Sequence, residues 1–117
     1  MNQFPELHEL LGFFEGEPEM TDRDVPWFYS SLTYRTMRGD DAITCEVEPG
    51  DGKLCLVWIR TDALIARLEL DEIASLHVES ARGVEKLIAK FERPSILDFE
   101  LQLRPTVHIR WGNQRVI

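Results

Sequence analysis

The spacing of hydrophobic residues changes once along this chain, from a helical period near the N-terminus to a period of two. The helical part places four apolar residues on one face: Leu7, Leu10, Leu11 and Phe14. Gly16 and Pro18 follow, and both residue types end helices. We therefore predict an N-terminal helix with this apolar face, followed by an acidic connector over residues 15–24.

After Pro26, polar and apolar residues alternate as they do in half-buried strands. The segments with this pattern, or with apolar residues on both faces, are 27–37, 43–48, 54–59, 64–70, 73–79, 97–103 and 107–111. Segment 84–91 fits a helix or a strand, and helical spacing is the better match. We predict one domain over residues 1–117 with an α+β fold. It is a β-rich antiparallel meander sheet of six to seven strands, with an N-terminal helix and, in the helical alternative for 84–91, a second helix there.

The turn at 49–52 determines how its flanking strands pair. A four-residue loop places Cys45 opposite Leu56, so that Cys45 and Cys55 lie on opposite faces and cannot form a disulfide. A loop of odd length would bring the two thiols opposite each other, and we favour the first register. With a three-residue loop at 61–63, one apolar face results: Ile43, Cys45, Val47, Leu54, Leu56, Trp58, Ala66 and Leu68.

The net charge of −8 is concentrated in the first half of the chain. Residues 1–52 contain twelve acids and three bases (net −9), whereas residues 53–117 contain nine acids and ten bases (net +1). Such a surface repels phosphate backbones and anionic lipids, so we expect neither nucleic acid nor membrane as a partner. It would steer a basic protein toward the N-terminal half, although acidic surfaces also serve solubility alone.

No catalytic or metal-binding motif is present in the sequence. His8, His77 and His108 lie on separate elements without a ligand spacing, and Cys45 and Cys55 lie inside apolar strands. We therefore expect no cofactor and no metal, and an enzyme is the less favoured hypothesis. Because the chain has no membrane-length apolar run and no signal-peptide pattern, we predict a cytoplasmic location.

Three consecutive aromatic residues at 27–29 lie close to the acidic connector, a combination typical of protein-binding surfaces. The alternative is that a helix covers these aromatic side chains. The predicted partner-binding residues are Asp22, Asp24, Trp27, Tyr29, Asp40, Asp41, Glu46 and Glu48.

Three classes of function follow from these features. The first is a small acidic protein-binding domain that covers a basic partner, as inhibitors and immunity proteins do, by analogy in charge and size. The second is a small-ligand-binding protein or enzyme with a pocket between sheet and helix. The third is a self-associating module that forms a homodimer through edge strands and the aromatic residues. We place the first class ahead of the other two.

Overall fold

The computed structural model describes residue 1 and residues 3–111, which form one α-helix and two antiparallel sheets. The helix is α1 (Leu7–Phe14), and short 3-10 turns occur at Trp27–Tyr29 and Pro49–Asp51. The strands are β1 (Glu19–Met20), β2 (Leu32–Arg38), β3 (Asp41–Glu48), β4 (Lys53–Arg60), β5 (Ala63–Leu70), β6 (Ile73–Ala81), β7 (Val84–Phe91), β8 (Phe99–Arg104) and β9 (His108–Trp111). The first sheet has the order β1-β2-β3-β4-β5 and the second the order β6-β7-β8-β9. The predicted α+β fold with antiparallel meanders and an N-terminal helix is confirmed.

Three details of the predicted architecture are wrong. The described strands number nine in two sheets, rather than six to seven in one. Segment 84–91 is strand β7 and not a second helix, because it pairs with β6 on one side and β8 on the other. The predicted strand at 27–37 begins only at Leu32, since residues 27–29 form a 3-10 turn. The apolar residues of β7 have helical spacing, but hydrogen-bonded pairing with a strand on each side favours the extended conformation.

The predicted register of β3, β4 and β5 is confirmed. Cys45 pairs with Leu56 and Cys55 pairs with Glu46, so the two thiols lie on opposite faces and are free. The β4–β5 turn is one residue shorter than predicted, because Arg60 pairs with Ala63. A bulge follows, in which Ile65 has no cross-strand partner. From Ala66 onward, β5 therefore pairs with β4 in the predicted register.

A single hydrophobic core joins the helix and both sheets. Helix α1 contributes Leu10, Phe13 and Phe14, all at most 1% exposed, and the ring of Phe14 stacks on Tyr34 at 4.6 Å. Leu11, predicted on the buried face, is 43% exposed. Because α1 contacts β2 of one sheet and β6 and β7 of the other, its buried face is turned toward Phe13 rather than Leu11.

Arg104 of β8 and Arg38 of β2 together connect the end of α1 to both sheets. The Arg104 guanidinium group forms an ion pair with Glu85 of β7, lies 2.8 Å from the Glu15 carboxylate and donates to the Gly12 carbonyl at 2.9 Å. Arg38 of β2 binds the same Glu15 carboxylate at 2.9 Å. The Arg104 hydrogen bond lowers the pKa of Glu85. The last carbonyls of a helix have no partner within the helix, and Arg104 supplies a donor to one of them here.

Asp41 joins β3 to β4 at the opposite end from the 49–52 turn. Its Oδ1 atom accepts hydrogen bonds from Arg60 Nε at 2.8 Å and from Trp58 Nε1 at 2.7 Å. The Arg60 guanidinium also lies 5.5 Å from the centre of the Trp58 ring. The hydrogen bonds, first that from Arg60 and then that from Trp58, lower the pKa of Asp41. The Asp41 carboxylate is therefore occupied within the fold.

We expect Arg104→Ala to lower the free energy of unfolding by about 2 kcal/mol, because Glu85 and the helix carbonyls lose a charged donor in a partly buried setting. The matched control is Arg93→Ala. Arg93 pairs with Glu72 with its side chain 67% exposed, and its loss should cost less than about 0.5 kcal/mol. Urea unfolding of both variants measures the difference. Equal effects would contradict this role of Arg104.

We expect Asp41→Asn to destabilise the protein by about 1–2 kcal/mol at neutral pH, because the charged acceptor of Arg60 and Trp58 is lost. A lowered folded-state pKa adds stability that is fully present above the unfolded value of about 4 and is lost as the pH falls through the folded value. The difference between the native protein and the variant should therefore shrink below about pH 4. Thermal unfolding at pH 7 and pH 3 measures it, and a gap that stays constant would refute the ionic contribution.

Candidate protein-binding surface

The predicted partner-binding residues lie at two ends of the first sheet rather than in one cluster. One group comes together near the 3-10 turns: Asp22, Asp24, Trp27, Tyr29 and Glu48. Asp40 and Asp41 lie at the β2–β3 turn, and Glu46 lies between the two ends on the outward face of β3. Because β3 runs from Asp41 to Glu48 at about 3.3 Å per residue, the ends are roughly 23 Å apart.

Tyr29 is the most exposed large hydrophobic side chain of the first group, at 73%. It lies beside the 49–51 turn, where a cleft of about 350 Å³ is lined by Phe28, Tyr29, Glu48 and Asp51 together with small residues. Asp22 and Asp24 lie on the adjoining connector. We call Asp22, Asp24, Tyr29, Glu48 and Asp51 the Tyr29 surface.

Local hydrogen bonds hold the connector in place. The Thr21 N–H donates to the Ser31 carbonyl at 3.1 Å, and the Asp22 N–H donates to Ser30 Oγ at 3.2 Å. The Asp24 N–H donates to Asp22 Oδ1 at 2.9 Å, which is the turn that Asp side chains favour. The two acids of the connector are thereby attached to the same segment that carries Tyr29.

The 49–52 turn is held against the second sheet. Gly52 has a φ of +64°, and a Cβ atom there would lie 3.0 Å from the Ile73 carbonyl oxygen. The Ile73 N–H in turn donates to the Gly52 carbonyl at 3.0 Å. Glycine is needed at this position for both reasons, and the close approach fixes the turn that carries Asp51.

Trp27 differs from Tyr29 in its surroundings. Its ring lies 5.1 Å from the ring of Phe4 and packs against the hydrophobic core, so it is partly buried. The N-terminal segment, rather than a second helix, covers this aromatic side chain. Of the two predicted aromatic contacts, Tyr29 is therefore the one available to a partner.

The outward face of the first sheet carries a second acidic group next to the Tyr29 surface. Glu46, Cys55 and Glu69 lie in one row across β3, β4 and β5. An adjoining groove of about 510 Å³ is lined by Glu46, Glu48, Glu69 and Asp71, with Lys53 and Arg67 also present. Glu48 borders both this groove and the Tyr29 cleft, so the acidic surface is continuous between them.

Neither cysteine has the environment of a nucleophile. Burial, followed by the charge of Glu69, raises the pKa of Cys55. Cys45 is 0% exposed, and burial raises its pKa strongly. Both thiols are protonated at neutral pH, whereas a reactive cysteine needs an accessible thiolate.

The Asp40–Asp41 end has a different character. A cleft of about 710 Å³ there is lined by Arg38, Asp41, Arg60 and His108, among others. Since Asp41 is already bound by Arg60, the charge of this cleft is mixed rather than acidic. Asp40 forms no ion pair with any residue that the structure describes. This end is thus the weaker candidate for binding a basic partner.

Two further observations concern only residue 1 and residues 3–111. No set of three His, Cys, Asp or Glu side chains in these ranges is placed to hold a metal ion. No helix there has the length and apolar character needed to cross a membrane.

The structure adds Asp51 and Phe28 to the predicted surface residues. Asp51 belongs to the turn at 49–52, which the sequence predicts. Its proximity to Tyr29 arises only from the tertiary structure. No local signal relates the two positions, which are 22 residues apart in the sequence.

No family model matches this chain, and no curated protein sequence matches it. Among solved structures, it resembles a chain of a contact-dependent growth inhibition toxin–immunity protein complex from Klebsiella pneumoniae 342. The match has a TM-score of 0.81 and 19% sequence identity, and it covers 95% of this chain and 96% of the other. The likeness extends over nearly the whole fold. It shows that this fold occurs in a chain of a complex between a toxin and an immunity protein.

Proposed function

We propose that this protein is an immunity-type inhibitor that binds and blocks a basic protein partner through the Tyr29 surface. The observation that carries the proposal is an exposed Tyr29 in a cleft with Glu48 and Asp51, next to the connector that carries Asp22 and Asp24. The structural likeness to a chain of a toxin–immunity protein complex supports the same class of function. We further infer a cytoplasmic location, because two unpaired thiols suit a reducing compartment.

The acids of the N-terminal half fall into two groups with different roles. Glu15, Glu19 and Asp41 form ion pairs with arginines of the same chain. The four acids of the Tyr29 surface form no ion pair within the described part of the chain. Their charge is therefore not neutralised internally, and it is available to attract a basic partner and accelerate association.

Tyr29 supplies the second component of the proposed interface. An exposed aromatic side chain is a common centre of binding energy in protein complexes, and its ring face attracts lysine and arginine. Carboxylates around the ring can pair with the same cation, which strengthens the hydrogen bonds. The cleft between Tyr29 and the 49–51 turn thus suits a basic side chain of the partner.

The features of the chain favour the inhibitor component of such a complex over the toxin. Its net charge of −8 repels nucleic acid. Both cysteines are held as thiols, and the space between helix and sheets is filled by core side chains. An inhibitor needs only a surface complementary to its target, and the exposed Tyr29 with its neighbouring acids supports such a role.

The first experiment is affinity capture from the source organism with the tagged protein at about 50 mM and about 500 mM salt, read by mass spectrometry. We expect a basic protein to be retained at low salt and depleted at high salt, because the proposed attraction is screened by ions. Failure to retain any protein at either salt would contradict the proposed function.

Variants then locate the interface with the purified partner. We expect Tyr29→Ala to weaken binding by more than about tenfold, mainly through faster dissociation. Asp51→Lys should slow association by roughly tenfold at low salt. Glu92→Lys makes the same charge change on an exposed loop beyond β7 and serves as the matched control. Equal slowing by the Asp51 and Glu92 variants would mean that only net charge matters, which would refute the Tyr29 surface as the binding site.

A further inference from the structure

Strand β5 forms a free edge of the first sheet. It is eight residues long, pairs with β4 on one side, and has no strand on its other side among the described residues. Three large apolar side chains near its start are exposed: Ile59 at 37%, Leu64 at 61% and Ile65 at 45%. A long uncovered edge presents unpaired backbone donors and acceptors, and natural proteins rarely leave one unused.

The other edges differ from β5. The edge strand β1 has only two residues, and the edge strand β9 has only four. The edge of β6 is partly covered by the N-terminal segment, because the Leu76 N–H donates to the Gln3 carbonyl at 3.0 Å. Of the four edges of the described sheets, β5 alone offers both length and accessibility.

The regular part of β5 is symmetric about Leu68. The bulge at Ile65 interrupts the strand on one side, and β5 ends at Leu70 on the other. The uninterrupted segment is therefore 66–70, with Leu68 at its centre. In an antiparallel pair of two such segments, Leu68 would lie opposite its own copy, and residues 66 and 67 would lie opposite 70 and 69.

We propose that β5 pairs with β5 of a second copy of this chain around a two-fold axis at Leu68. Arg67 of each copy would then lie directly opposite Glu69 of the other, giving two identical cross-strand ion pairs on the outward face. Neither Arg67 nor Glu69 forms an ion pair with another described residue. The two five-stranded sheets would join into one continuous sheet.

Charge also selects this register over its neighbours. Centring the pair on Arg67 or on Glu69 would place like charges opposite each other, which destabilises a sheet. Like charges on an edge strand protect it, because they repel the edge of a second copy. Arg67 and Glu69 have opposite charges and lie two residues apart, so each attracts the other residue type in the second copy. The dimer goes beyond the proposed function. The proposed contact is at the outer edge of β5, whereas the cleft beside Tyr29 is lined by residues of the two 3-10 turns and of β3, which is two strands away in the sheet.

Sedimentation equilibrium over a range of protein concentrations tests the proposal. We expect the native protein to show a monomer–dimer equilibrium. Arg67→Glu and Glu69→Arg each replace both attractive pairs by repulsive ones, so each should weaken dimerisation by at least roughly tenfold. The double variant Arg67→Glu/Glu69→Arg inverts the pairs and should restore the native dimer.

Mixing the two single variants provides an independent test. Their pairs become complementary only between different chains, so native mass spectrometry should show a heterodimer and little of either homodimer. Circular dichroism of each single variant checks that its fold is kept. Arg82→Glu, an exposed charge reversal at the β6–β7 turn, is the control and should not change dimerisation. A native protein that stays monomeric throughout, or single variants that dimerise like the native protein, would overturn the proposal.

Discussion

The shared hydrophobic core is the constraint on which the rest of this structure depends. Each of the two meanders has one apolar face, and a sheet of this kind is stable only when that face is covered. Here the buried residues of both sheets form one cluster with Leu10, Phe13 and Phe14 of the helix. The helix has only eight residues and would be marginal alone, which means that its existence also depends on this packing.

Polar contacts at the margins of the core hold the layers in position. Arg104 and Arg38 meet at Glu15, so the end of the helix is connected to a strand of each sheet. Asp41 connects β3 to β4 through Arg60 and Trp58. Glu15 and Asp41 belong to the acids that give the N-terminal half its negative charge, but arginines of the same chain bind them. The charge that remains for a partner is therefore smaller and more localised than the composition indicates.

Localisation of this charge gives the molecule two distinct sides. Near β1 to β3, Tyr29 lies in a cleft with Glu48 and Asp51, and we propose that this side binds a basic protein. At β5, a free edge carries charges of both signs in a self-complementary order. The likeness to a chain of a toxin–immunity protein complex concerns the fold, whereas the proposed binding role depends on these individual residues.

The sequence by itself determined the α+β class, the N-terminal helix and the register of β3, β4 and β5. These depend on local periodicity and on a strong turn at 49–52, which act over short distances. Only the tertiary structure decided that 84–91 is a strand, that Leu11 faces solvent and that the strands divide into two sheets. It also decided which acids stay free, because ion pairs such as Arg104–Glu15 join residues far apart in the chain. Local pattern carries no information about such contacts, since they form only when the layers pack.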